Sequence, residues 1–301
     1  MAAKRKRIAW TGPTEKTNPS SRRIDLASSL KIAQIINRED QKIALAVRPR
    51  LKDIAQAIDL AYKAISRGGR LFYVGAGSSG RLGVLDAAEC PPTFGVSPAV
   101  VQGVIAGGKR ALWRSAEGAE DDCRAGAMAI RQAGVQGNDA VCGISASGRT
   151  PFVRGALTEA KKRKAGRILV ACHPAPEIGP LADVVINPVV GPEVIAGSTR
   201  MKAGTATKMI LNMISTGVMI RLGKVYGNLM VDVKPASEKL KGRAEKIITA
   251  VLGCSQSRAK NLLRLSGNRT KLAIVMGAKG CSVQEAKRLL EEKKGFLRKT
   301  L

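Results

Sequence analysis

The chain is short of acids, aromatics and histidine. It carries 23 Asp and Glu against 51 Lys and Arg, for a formal net charge of +28. Aromatics are 3% of residues, so any core must be aliphatic. The one histidine, His173, cannot complete a zinc site with cysteines, and none of the six cysteines (Cys90, Cys123, Cys142, Cys172, Cys254, Cys281) lies in a C-x-x-C pair. That argues against a structural metal, and reduced thiols fit a cytoplasmic setting. Cys142 and Cys172 sit in apolar strand-like runs and read as small core residues. The longest uncharged apolar run, 209–220, is too short to span a bilayer. The basic start has no apolar stretch behind it, so it does not read as a signal peptide.

Such a charge excess points first to nucleic acid or an anionic surface. The basic residues, however, are dispersed, apart from runs at 4–7 and 161–164. Base-stacking aromatics, helix-turn-helix spacing and zinc-finger spacing are all missing. No specific nucleic-acid partner is expected, and nonspecific attraction to polyanions would be a side effect of charge.

What remains is ample for an enzyme. Of 301 residues, 45% are apolar, enough for one large α/β domain and a small second one. The polar, Pro/Ser-rich stretch 1–23 reads as a loose arm. Two helices follow. Ile32, Ile35 and Ile36 mark the first. Asp53 as N-cap, then Ile54, Ala57, Ile58, Ala61 and Ile65, mark the second, which stops at Gly68-Gly69. Short apolar runs at 70–75, 99–105, 139–145, 167–172 and 183–187 then alternate with helical segments. Near-continuous apolar character predicts strands covered on both faces, hence a parallel five-stranded sheet between helical layers. A long helix is expected over 197–222. After Pro235 the composition shifts to basic short helices without strands, with a capping-box pattern at 282–285 and a stop at Gly295. The divisions are 1–50 (arm and helix), 51–236 (α/β domain) and 237–301 (helical domain).

Two turns could bind an anion. Gly75-Ala-Gly77-Ser-Ser-Gly80 follows a strand and opens a helix. It matches a dinucleotide loop, but that reading wants an acid about 20 residues on for the ribose. No Asp or Glu occurs between Glu89 and Glu117. Free helix N-terminal amides with the hydroxyls of Ser78 and Ser79 suit a phosphate monoester instead. Ser145-Ala-Ser147-Gly148-Arg-Thr150 places three hydroxyls at a second strand-to-helix turn. In an open parallel sheet both turns lie at strand carboxyl ends, where ligands bind. Two acidic clusters also stand out in so basic a chain, Asp86 to Glu89 and Glu117 to Asp122. Their bland readings are a surface ion pair and an acid-favouring helix N-terminus.

The S-x-S-G-x-T turn resembles the phosphate loop of sugar isomerase (SIS) domains. The blocks GAGSSGRLGVLDAAECPPTFG, SAEGAEDD, SASGRTPFV, GPEVIAGSTRMKAGTATK and RLGKVYGNLMVDV resemble those of the N-acetylmuramic acid 6-phosphate etherase family, collinearly over roughly 14–301. Thr14-Glu15 with Asn18-Pro19, and Gly295-Phe296, belong to the same pattern. The resemblance implies an SIS-type three-layer sandwich and a homodimer without cofactor. It implies a lyase of peptidoglycan recycling that releases D-lactate and N-acetylglucosamine 6-phosphate. The family's two acids fall on Glu89 and Glu120, and its phosphate contacts on Ser78, Ser79, Ser145, Ser147 and Thr150. Four positions depart from the pattern: Ser78 for Thr, Ser145 for Ala, and Ala171 and His173 where Ala171-Cys-His173 stands for Ser-Cys-Asn. His173 follows the fourth strand and, as a lone imidazole, reads as structural, with substrate contact as the alternative.

The chemistry wants two carboxyls. An alkyl ether resists simple hydrolysis, but opening the sugar to its aldehyde acidifies the C2 proton. One carboxylate, Glu120, then removes it, and a carboxylic acid, Glu89, protonates the departing lactyl oxygen. A geometric tension follows. If 79–89 is one straight helix, its ends lie about 15 Å apart, farther than phosphorus is from C3 in a hexose 6-phosphate. Either the helix breaks early or Glu89 serves the other subunit's phosphate. Rival readings are a non-catalytic sugar-phosphate sensor, since glucokinase regulatory protein resembles the same family, and an aldose–ketose phosphate isomerase.

Overall fold

The computed structural model describes residues 12–233 and 237–301. The 4–7 basic run and Pro235 lie outside the described residues.

Helices α1 (Ser29–Val47) and α2 (Leu51–Ser66) are separated by a single 3-10 turn at Arg48–Arg50. Pro49 in that turn cannot donate a helical hydrogen bond, so the helix breaks there. Helix α2 therefore starts at Leu51, before Asp53. The expected N-cap stands inside the first turn, with Arg50 at the cap position and no side-chain cap bond.

Five strands follow, β1 (Leu71–Gly75), β2 (Val101–Ile105), β3 (Ala140–Ile144), β4 (Gly166–Val170) and β5 (Val184–Ile186). All pair in parallel, in the order β2-β1-β3-β4-β5. Alternate residues of each strand feed opposite hydrophobic layers, as a pleated strand requires. Leu71, Tyr73, Cys142, Ile144 and Ile168 join α1, α2, α3 (Gly77–Phe94) and α6 (Lys202–Arg221) on one face. Phe72, Val74, Val141 and Leu169 join α4 (Cys123–Gln132) and α5 (Pro151–Lys162) on the other. This is the expected three-layer α/β sandwich. Each fully buried Ile or Leu contributes roughly 1.5–3 kcal/mol. Strand β2 departs from the two-sided burial expected of it. It is the sheet's edge, and Gln102 and Val104 are only partly covered.

Helix α6 begins five residues later than the 197–222 expectation. Residues 188–201 form turns, because the Glu193 carboxylate accepts the amides of Lys202 (2.9 Å) and Ala203 (2.9 Å) and so caps the helix there.

The 1–23 arm was expected to be loose, but residues 12–23 pack on the body. Asn18 donates to Glu39 Oε2 (3.0 Å) and to the Pro192 carbonyl (3.2 Å), and the Ser21 hydroxyl donates to the Val194 carbonyl (2.6 Å). Composition marks polar residues as surface residues; here a buried cluster of partners binds them instead.

Beyond a two-stranded hairpin, β6 (Val225–Tyr226) with β7 (Leu229–Met230), come α7 (Glu238–Leu252), α8 (Gln256–Leu265), α9 (Thr270–Lys279), α10 (Val283–Glu292) and α11 (Leu297–Thr300). They close around their own aliphatic cluster, with Ile248, Ala273 and Ile274 at its centre. Ser282 accepts the Glu285 amide at 3.2 Å and caps α10.

Candidate active site

The strand order reverses direction between β1 and β3. The chain leaves β1 toward β2 on one side and leaves β3 toward β4 on the other. A crevice opens at the carboxyl ends of such neighbours. Each wall is a tight turn that its glycines make possible. Gly77 has φ +52°, and Gly75 and Gly80 pack backbone to backbone: a Cβ on Gly75 would stand 2.8 Å from the Gly80 nitrogen. Gly148 has φ +69° and lies against Pro176. Neither α3 nor α5 has a side-chain N-cap, so their first-turn amides face the crevice region without one.

A cavity of about 630 Å³ fills this crevice, and Ser78, Ser79, Ser147, Thr150 and Glu120 all line it. Glu120 arrives by a specific route. Helices α4 and α5 touch backbone to backbone, because Gly126 lies on the Phe152 carbonyl and Gly155 on the Cys123 carbonyl. The 117–122 loop ahead of α4 is thus held beside the start of α5. Asp122 plays the bland role foreseen for its cluster, accepting the Ala125 amide at 2.8 Å to cap α4.

Two residues singled out in the sequence are placed elsewhere. Ser145 is 1% exposed and does not line the cavity. Its hydroxyl sits behind the loop, 2.8 Å from the Thr150 hydroxyl, so it backs a residue that lines the cavity instead of lining it itself. Glu89 is exposed on α3, twelve residues past Gly77 and therefore about 18 Å along the axis. Pro91 and Pro92 do not break the helix early; it runs to Phe94 and stops at Gly95, φ +67°. Within one chain, Glu89 does not line the cavity that Glu120 lines.

Among the lining residues given no role, or a bland one, are Glu15, Thr199 and His173. Glu15 and Thr199 come from segments joined by the Gly197 amide donating to the Thr14 carbonyl at 3.0 Å. The signal for Glu15 was the Thr14-Glu15 pair of the family pattern. His173 also lines the cavity.

The segments carrying Glu15 and Thr199 are anchored by buried charge. Lys202 Nζ lies 2.8 Å from Glu39 Oε2 and 3.1 Å from the Pro192 carbonyl. Burial pushes the Glu39 carboxyl up, but hydrogen bonds from Lys202, Lys42 and Asn18 outweigh it and hold the pKa at about 2. Burial likewise raises the Cys90 and Cys172 thiols to about 12, so both are inert core residues. Among the described residues, no group of three or more His, Cys, Asp or Glu is placed to hold a metal ion, and no helix is long and apolar enough to cross a membrane.

A second hollow, about 560 Å³, adjoins the cavity through Ser78. It runs between α3 and α6, with Arg81, Arg200 and Lys208 around it and Leu82 and Leu85 between them.

A parallel sheet with hydroxyl-bearing turns around a crevice at its switch point defines an SIS-type α/β protein. Residues 53–161 match the family model described as the glucokinase regulatory protein N-terminal SIS domain. Over 288 residues the chain is 51% identical to N-acetylmuramic acid 6-phosphate etherase 1 of Bacillus licheniformis, covering 96% of this chain and 95% of that one. It is 48% identical, over 96% of both chains, to N-acetylmuramic acid 6-phosphate etherase of Klebsiella aerogenes. The chain belongs to the N-acetylmuramic acid 6-phosphate etherase family, and so is an enzyme of the carbon–oxygen lyase type. Among solved structures, phosphoheptose isomerase GmhA of Neisseria gonorrhoeae is 16% identical, covering 62% of this chain and 99% of that one, with a TM-score of 0.45.

Proposed function

We propose that the chain cleaves the D-lactyl ether of N-acetylmuramic acid 6-phosphate in the cytoplasm. The products are D-lactate and N-acetylglucosamine 6-phosphate. The 6-phosphate sits on the α3 and α5 N-termini among Ser78, Ser79, Ser147 and Thr150, with Ser145 bracing the loop. Phosphate binding supplies remote binding energy that fixes C2 and C3. Glu120 removes the C2 proton of the open-chain aldehyde, the C3–O bond breaks, and Glu89 protonates the leaving lactyl oxygen. Water then adds at C3 of the unsaturated aldehyde. Positioned acid and base groups each contribute about 10²–10⁴-fold.

The single observation that carries this reading is Glu120 lining the same cavity as both hydroxyl turns. Glu89 completes the site from a second copy, in a homodimer. Its exposure on α3 supports that arrangement, because a side chain left uncovered by its own chain is able to reach into a second copy's cavity. The parting of arm, α/β domain and helical tail at 50/51 and 236/237 belongs to the same proposal.

The test is D-lactate release from N-acetylmuramic acid 6-phosphate, with the sugar product identified. Lactate supports the etherase. A ketose phosphate without lactate would mean isomerisation. Tight binding without turnover would favour a sugar-phosphate sensor, the second reading, toward which the match to a regulatory protein's SIS domain leans.

A further inference from the structure

The elimination uses two carboxyls, but the aldehyde it needs must first be made from a ring. Opening a pyranose moves one proton from the anomeric hydroxyl O1 to the ring oxygen O5 as the C1–O5 bond breaks and C1–O1 becomes a carbonyl. A group at ring level that both takes and gives a proton near neutral pH speeds this step, and imidazole is the side chain suited to it.

The chain has one imidazole, and the fold places it on the cavity. His173 follows β4 at the carboxyl edge of the sheet. Its backbone is held by Asn187, whose side-chain amide donates to the carbonyls of Pro174 (2.8 Å) and His173 (3.4 Å). Its ring is held through Nδ1, which lies 2.9 Å from the Ala175 carbonyl and 3.2 Å from the Ala175 amide. One nitrogen cannot donate to the first and accept from the second at once. The shorter contact, to an oxygen that only accepts, puts the proton on Nδ1 and leaves a lone pair on Nε2. Among the described residues nothing hydrogen-bonds Nε2. The residue packed over that edge of the ring is Gly12; a Cβ there would stand 3.5 Å from Cδ2 and 3.9 Å from Nε2. A fixed tautomer, a lone pair free of partners among these residues and a neighbour without a side chain are what a proton shuttle needs. Glu15, a carboxylate that also lines the cavity, accepts from the Thr14 hydroxyl at 3.4 Å and abuts Gly197.

We propose that His173 opens the pyranose ring of the bound hexose 6-phosphate, so that the cavity also interconverts sugar anomers. Nε2 takes the proton from O1, and the resulting imidazolium returns it to O5. Proton and electrons balance, and no co-reactant is used. This rests on the etherase reading but concerns a separate step, one that the product N-acetylglucosamine 6-phosphate also undergoes without lactate present.

The experiment measures α/β exchange of N-acetylglucosamine 6-phosphate by NMR magnetisation transfer, with lactate release assayed on the same preparations. Wild type should accelerate exchange over buffer. His173→Asn and His173→Gln should each cut the enzyme-catalysed rate at least tenfold while still binding the sugar phosphate. Glu120→Gln should keep exchange within about twofold while losing lactate release. Unchanged exchange in both His173 variants overturns the proposal, as does loss in Glu15→Gln alone. Wild type that releases lactate without accelerating exchange overturns the anomerase and leaves the etherase standing; failure of both activities removes both.

Discussion

The Lys202 ammonium meets the Glu39 carboxylate at 2.8 Å, with both side chains 3% exposed or less. The pair joins the first turn of α6 to the middle of α1, and Asn18 ties the N-terminal segment to the same carboxylate. Removing one partner leaves the other charge buried. Lys202→Met should therefore destabilise the protein by about 3–5 kcal/mol, and Lys202→Met with Glu39→Leu by less than the single change. Denaturant midpoints check both. A single variant as stable as wild type would show that the pair is not buried in solution.

The same carboxylate sets an acid limb. Its folded pKa, about 2, lies below the ordinary 4.5. Its contribution is therefore complete above 4.5 and lost as pH falls toward 2, a loss on the order of 3 kcal/mol. Glu193 acts with the opposite sign. Burial raises its carboxyl, although the Ala203 and Lys202 amides pull it back in part, so protonation relieves a cost. The Glu39 share is isolated as the stability difference between wild type and Glu39→Gln. That difference should shrink over this window as pH falls.

Glu89→Gln and Glu120→Gln chains should each be inactive as homodimers. Refolded together in equal amounts, they should regain about a quarter of wild-type lactate release. Half the dimers are then mixed, and each has one site with both glutamates intact. No recovery on mixing, with mixed dimers demonstrated by mass, would place Glu89 outside the shared site.

Ser145 and Ser147 are two residues apart and should behave differently. Ser147 lines the cavity, so Ser147→Ala should raise KM for the phosphosugar at least tenfold. Ser145 acts only from behind, through the Thr150 hydroxyl (2.8 Å) and the Ser147 hydroxyl (3.5 Å), so Ser145→Ala should raise KM no more than a few-fold. Equal effects in steady-state kinetics would contradict the arrangement.

Much of this was legible beforehand because it is local or periodic. Near-continuous apolar runs marked the strands, and Gly77 and Gly148 marked turns that a side chain would strain. The family blocks carried the acids. Other features were not legible. A helix stripe does not say where Pro49 will restart the helix, nor that Glu193 will cap α6 nine residues away. Ser145 and Ser147 look alike in a string of letters. Their burial differs because Ser145 still pairs with the sheet through its amide on the Val170 carbonyl, whereas Ser147 lies within the turn that the Gly148 amide closes on the Ser145 carbonyl.

Sequence alone determined the fold class, the two hydroxyl-bearing turns and the family, since these follow from hydrophobic spacing, glycine placement and long residue blocks. Tertiary packing decided which named residues meet. The parallel sheet brings Gly75 beside Ile144, 69 residues on, and the Gly197 amide holds the Thr14 carbonyl, so that Glu120, His173 and Glu15 stand around one cavity. A straight helix of fixed rise carries Glu89 away from it, and no sequence spacing overrides 1.5 Å per residue.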